Sequence, residues 1–411
     1  MTSFRMAAAT VAAAFLVASP ASAQTTPAPV PETGYQDGFF VQTSSGDYRL
    51  GFGAIAQLDG RFALDDPKPI INTFTLRKLR PTLSGRIAKY FDFRLMPDFG
   101  NGTVVVQDAY FDMRFSPKFR IRTGKEKTPV GYELLIGDPF LLFPERALAS
   151  SLVPNRDLGV SAQGDLSPKV FYALGVYNGI PDGTSSTTEL DPNSGKDLAG
   201  RLVLQPFRST ATPARPLNGL GVQAGFSQGK QVGSLPSFRT SVGQSYFSYA
   251  SGAAADGART RFTPAVFYYY KALGLFGEWT QSAQRVTRTG VTTDVRNHAW
   301  EVTGSIVLTG EATGDRGVRP RSNFDPAAGR FGALQLVTRL SELEVDDEVF
   351  GAGLGAAGAS NGASQFTIGV NWYPNPQLKY YATYERTTFD NDFTAPRATE
   401  NVILVRAQLA F

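Results

Sequence analysis

The residues with the greatest chemical potential in this sequence are its arginines, which make up 29 of the 40 basic residues. A guanidinium keeps its charge at any physiological pH, grips planar oxyanions through two parallel hydrogen bonds, and lines anion pores. Arg49, Arg61, Arg80, Arg86, Arg94, Arg114, Arg120, Arg122, Arg201 and Arg406 all lie in segments where apolar and polar residues alternate, on the polar side. The competing reading is that they pair with Asp59, Asp92, Asp98, Asp108 and Asp112 and only keep that side wet. With 36 acidic residues and a formal net charge of +4, local clustering rather than the total decides between the two. Acid–base catalysis usually recruits histidine, and the chain has only His298, beside Trp300 and Glu301. No cysteine is present, so thiolate nucleophiles, thiolate metal sites and disulfides are excluded. Neither a Gly-x-Ser-x-Gly elbow nor a His-Glu-x-x-His zinc site is expected beside that histidine. We expect no enzyme, no cofactor and no metal site.

The elements that would position these arginines repeat with a period of two. From Tyr48 to Phe62 one side carries Tyr48, Leu50, Phe52, Leu58 and Phe62, and the other Arg49, Gln57, Asp59 and Arg61. A strand that long is unusual for a sandwich of sheets. Similar patterns predict strands at 76–88, 91–99, 105–115, 119–124, 158–166, 169–177, 198–205, 220–227, 261–271, 275–283, 298–309, 332–343, 365–372, 378–387 and 403–411, sixteen in all. With 42 Gly, 30 Phe and 16 Tyr, this is a sheet-and-turn composition. Mean hydropathy is −0.15, which a membrane barrel shares with a soluble protein because lipid-facing and water-facing residues alternate and cancel. The expectation is an all-β fold, a 16-stranded antiparallel transmembrane β-barrel in a bacterial outer membrane, in contact with the lipid bilayer and lipopolysaccharide and with no nucleic-acid partner. Trp300, Trp372, Tyr268, Tyr270, Tyr380 and Tyr384 fit aromatic girdles.

Connection lengths support the count, since such barrels alternate short periplasmic turns with long outer loops. Tight turns are expected at 89–90, 116–118, 167–168, 272–274 and 374–376, and long loops at 125–157, 178–197, 228–260 and 346–364. The connections 206–219 and 310–331 are long on the short-turn side, and the second would fit a count that slips by a strand pair. Three domains follow: a signal peptide at 1–23, with Arg5, an apolar run and Ala21-Ser22-Ala23; an N-terminal periplasmic or linker segment at 24–46; and the barrel at 47–411. Glu342, Glu344, Asp346, Asp347 and Glu348 read as a solvated loop edge. Leu343 and Val345, sharing a side with Arg339, suggest a bulge nearby.

The loop 125–157 mixes charges with Leu134, Leu135, Ile136, Phe140, Leu141, Leu142 and Phe143. Exposing it to water would be costly, so it is expected to pack inward against the wall; a cap over the mouth or a contact with a neighbouring subunit is the alternative.

Phe91–Phe99, Asp108–Asp112, Arg122–Gly131, Glu145-Arg146, Pro154–Val160, Tyr177-Asn178-Gly179 and Asn323–Pro326 resemble, in order and spacing, the phosphate-selective porin O and P family. The resemblance implies a homotrimer of sixteen-stranded barrels whose third extracellular loop folds into the channel and whose basic residues attract phosphate or other small anions. It further implies that Lys125, Lys127, Arg146 and Arg156, with Arg120 and Arg122, form the constriction. Arg61, Arg80, Arg94, Arg114, Arg201 and Arg406 then line the wall. A general diffusion porin with little ion selectivity is the alternative.

Overall fold

A computed structural model describes residues 31–65, 70–186, 193–209 and 215–411; the expected signal peptide lies outside the described residues. Two short strands, β1 (Glu32–Tyr35) and β2 (Phe39–Gln42), precede the barrel. The barrel follows as β3 (Arg49–Ala63), β4 (Thr73–Ile87), β5 (Phe91–Asp98), β6 (Val105–Ser116), β7 (Phe119–Lys127), β8 (Arg156–Ser167), β9 (Val170–Tyr177), β10 (Asp197–Leu204) and β11 (Leu220–Gly233). Beyond a small hairpin, β12 (Ser237–Arg239) and β13 (Ser245–Ser248), it continues with β14 (Ala254–Tyr270), β15 (Leu273–Arg288), β16 (Val291–Val307), β17 (Ala333–Glu344), β18 (Gly362–Tyr373), β19 (Leu378–Asp390) and β20 (Glu400–Ala410).

Each barrel strand pairs antiparallel with the next, and β20 returns to β3, from Val402 opposite Ala63 to Ala410 opposite Ile55. This closes a 16-stranded barrel and leaves no open edge in lipid. All sixteen expected strands are present. The largest differences are in β11, β14, β15 and β16, which run five to seven residues further outward than the alternation indicated. The turn between β15 and β16 is only Thr289-Gly290, both at positive φ (46° and 84°), a conformation glycine tolerates best.

The outward faces are greasy: Leu58, Phe111 and Val302 are 58%, 68% and 54% exposed, which suits hydrocarbon rather than water. Trp372 stacks between Phe331 and Tyr380, with ring centroids 5.2 and 5.3 Å away. No helix among the described residues is long and apolar enough to cross a membrane; the crossing is made by strands.

Three expectations need correction. The strand count does not slip at 310–331, because β16, β17 and β18 pair in unbroken register. Instead that long connection folds under the barrel: Thr313 N donates to Lys271 O (2.9 Å), and Val318 is buried with Val307, Ala333 and Tyr373. Nor is there a bulge at Leu343. Leu343 and Val345 are buried on the inner side because Leu148 and Leu152 of the 125–157 loop, Phe238, Tyr246 and Phe247 of the β12–β13 hairpin, and Val349 and Leu354 of the 346–364 loop pack over them. Finally, part of the 24–46 segment is sheet rather than linker, since β1 pairs with β2 and β2 with β3.

Candidate functional site

After β7 the chain crosses to the opposite wall and stays hydrogen-bonded to it. Val130 O accepts from Gln223 Nε2 (3.2 Å) and Thr263 Oγ1 (3.0 Å). The one-turn helix α1 (Tyr132–Leu135) starts on the Glu278 carboxylate, which takes the backbone N–H of Tyr132 (2.7 Å) and of Glu133 (3.1 Å). Tyr132 stacks on Phe267 at 5.1 Å. Further along, Leu141 O accepts from Lys379 Nζ (2.6 Å), Leu142 O from Asn371 Nδ2 (2.9 Å), and Pro139 O from Gln408 Nε2 (3.0 Å), while Arg406 bonds Pro144 O. Carbonyls that would otherwise face water are thus satisfied by side chains on the inner face of β18, β19 and β20.

Two carboxylates of this loop turn toward basic residues. Glu145 takes a bidentate pair from Arg77 (2.7 and 3.0 Å) and further contacts from Arg61 and Arg406 (3.2 Å each). Asp138 meets Lys78 Nζ and Arg146 NH1 at 3.0 Å each, and Arg80 NH1. Burial disfavours the charge of both carboxyls, but the surrounding cations outweigh it and hold both below the usual carboxylate range. A β-bulge brings so many cations to one place. Gln57 faces Lys78 and Leu58 faces Leu76, so Arg77 is the extra residue of β4, and Arg77, Lys78 and Arg80 all reach inward instead of alternating.

Two cavities meet at this loop. One, of about 900 Å³, is lined from the side of the β1–β2 turn and of Arg316–Arg319, with ten basic side chains against four acidic. The other, of about 760 Å³, lies on the side of Arg239–Gly243, with seven basic against two acidic. Asp138 and Arg156 line both. Asp59, Asp98 and Asp112, the partners of Arg406, Arg80 and Arg122, line neither cavity. At Arg80 and Arg122 the acid thus lies behind the guanidinium, which itself lines a cavity.

The residues expected at the constriction divide. Arg156, bonded to Asp108 at 2.7 Å, lines both cavities. Arg146 lines the second. Arg120, Arg122 and Lys127 line the first; Arg122 pairs bidentately with Asp112 (2.6 and 2.8 Å), and Lys127 donates to Leu134 O (2.6 Å) and Ile136 O (2.9 Å). Lys125 departs from the group: it bonds Ser186 O and lines neither cavity. Of the wall residues, Arg61 and Arg80 line the second cavity, and Arg94 and Arg201 the first. Arg406 is held by Asp59 (2.6 and 2.7 Å) and faces the loop. Arg114 sits apart, on Asp92 (2.8 Å) and Lys89 O (2.7 Å). Sequence reasoning missed Arg77, Lys78, Lys379, Arg316 and Arg319; the adjacent Arg77-Lys78, breaking the alternation, was the available signal for the first two.

One pattern was overlooked in the sequence: Gly358-Ala359-Ser360-Asn361-Gly362 has the Gly-x-Ser-x-Gly spacing. It is no nucleophile elbow, because Ser360 is fully buried with its Oγ on Asn391 Oδ1 (3.0 Å). His298 is spent on Glu344 at 2.6 Å.

A family model described as phosphate-selective porin O and P matches residues 53–411. No curated protein matches the chain. Among solved structures it is similar to the outer-membrane channel DcaP of Acinetobacter baumannii (13% identity, TM-score 0.58, covering 90% of this chain and 99% of that one). It is also similar to an anion-selective porin from Comamonas acidovorans (11%, 0.59, 89% and 100%). The trimer form of OmpT from Vibrio cholerae is a further neighbour (11%, 0.52, 89% and 99%).

Proposed function

Because this chain belongs to the phosphate-selective porin O and P family, we propose that the solutes it passes across the outer membrane are chiefly small anions. The observation that carries this reading is the cationic excess lining both cavities, ten against four and seven against two. Such an excess, in a channel with low-dielectric walls, concentrates anions and repels cations. The loop that carries Asp138 and Arg146 is the narrowest part of the path, and Arg156, Arg146, Arg120, Arg122 and Lys127 are the constriction residues. Fold and family are those of a channel rather than an enzyme. The assembly is a homotrimer; similarity to a porin solved in trimer form supports it.

The general diffusion porin keeps one specific support, the acidic partner behind most of the inward arginines. Reversal potentials across planar bilayers in a salt gradient separate the two readings. An anion-selective value is expected, and a neutral or cation-selective one removes the proposal. Replacing Arg120 and Arg122 together by alanine should lower the anion preference.

A further inference from the structure

The two cavities differ in their rings as well as in their charges. Phe74 is the single aromatic lining the second among the described residues, whereas Phe140 and Phe171 are two of several lining the first. Phe140 projects from the crossing loop and is 39% exposed, beside Gly317, where a Cβ would lie 3.6 Å from its ring. A bare inorganic ion gains nothing from such a surface, and exposing it to water is costly. An apolar lining with a few charged groups placed to orient one end is the make-up of a site for an organic ligand.

The charged end stands on the wall next to Phe171. The inward residues Arg120, Gln163, Ala173 and Arg201 form one row across β7, β8, β9 and β10, and all four line the first cavity. Arg201 makes no ion pair among the described residues: its NH1 donates to Gln223 Oε1 (3.3 Å), its Nε is unbonded, and its guanidinium lies 4.9 Å over the Phe171 ring. Arg120 also turns to an amide, with NH2 3.0 Å from Gln163 Oε1, while Asp112 stands 4.0 Å from its Nε. The small side chain of Ala173 between the two arginines leaves room for a planar oxyanion that both can grip.

We propose that this corner of the first cavity is a binding site for aryl carboxylates, the carboxylate held by Arg201 and Arg120 and the ring laid against Phe171 and Phe140. The proposal rests on the anion-channel reading and deepens it by naming the class of anion, one that carries a flat apolar body. A guanidinium suits a planar carboxylate through two parallel hydrogen bonds, and the aromatic walls reward a ring with stacking and area removed from water.

The test uses the full-length porin in planar bilayers carrying a chloride current, with benzoate or acetate added as blocker, two carboxylates that differ in the ring. Benzoate should halve the current at a concentration roughly tenfold below that of acetate. F171A should reduce this ratio severalfold with acetate block unchanged, and so should F140L, which keeps an apolar side chain in the loop and removes only the ring. R201Q should weaken block by both anions alike. Equal block by benzoate and acetate in the wild type, or a ratio untouched in both ring variants, overturns the proposal. The ratio is read within each protein, so it tests the ring site whatever the sign of the reversal potential; a cation-selective potential with the ratio intact removes the anion-channel reading and leaves the site standing.

Discussion

At the scale of single residues, the interior is built from shared charges rather than isolated ones. Arg80 serves both Asp98 (2.6 Å) and Asp138, and Asp108 serves both Arg156 (2.7 Å) and Arg94 (3.2 Å). Arg80 and Arg122 each meet a carboxylate that lies outside the cavities, Asp98 and Asp112, and themselves line the channel. This has a consequence for pH. Glu145 and Asp138 are held below their ordinary values of 4.5 and 3.8, so their stabilising contribution is fully present above those values. It is lost only as pH falls through the lower folded values. We expect single-channel conductance to stay constant as far as these two groups govern it from pH 7 down to about pH 5, where both stay charged. A step within that window in the wild type that is absent from E145Q and D138N would contradict it.

At the scale of elements, the bulge in β4 and the crossing loop form one device. The bulge supplies Arg77 to Glu145, and the far wall supplies Glu278 to the start of α1. Replacing Glu278 by alanine leaves two buried N–H groups without an acceptor, at a cost of about 1–3 kcal/mol each. The barrel itself does not depend on that carboxylate. E278A should therefore migrate on heat-modifiable gels like the wild type while its single-channel current becomes noisier and larger on average; a quiet, unchanged current would show that α1 is held by the Tyr132–Phe267 stacking instead. Deleting Arg77 should restore regular β3–β4 pairing and loosen the loop at Glu145, also read as current noise.

At the scale of the whole molecule, function depends on a field summed over both cavities and is therefore sensitive to ionic strength. Screening shortens from about 10 Å at 0.1 M to about 3 Å at 1 M, so anion preference measured by reversal potential should decline over that range. Preference that persists undiminished at 1 M would point to contact with the narrowest site alone. A closed wall also gives no exposed strand edge, so the protein should resist dissociation in detergent until heated.

The sequence by itself determined the wall. A period of two, maintained because one side meets lipid and the other water, fixes which residues face inward, and it located all sixteen strands and most of the inward arginines. It also marked the 125–157 loop, whose apolar residues have no stable place in open water. Only the tertiary structure decided what stands inside the wall. Alternation says nothing about a residue once a bulge breaks it, as at Arg77, or about a loop carboxylate such as Asp138, whose partners on the wall, Arg80 and Lys78, lie 58 and 60 residues away in sequence. Likewise Leu343 is apolar on a nominally wet side because three separate loops fold over it. Such contacts arise from distant segments meeting in space, and the local pattern carries no record of them.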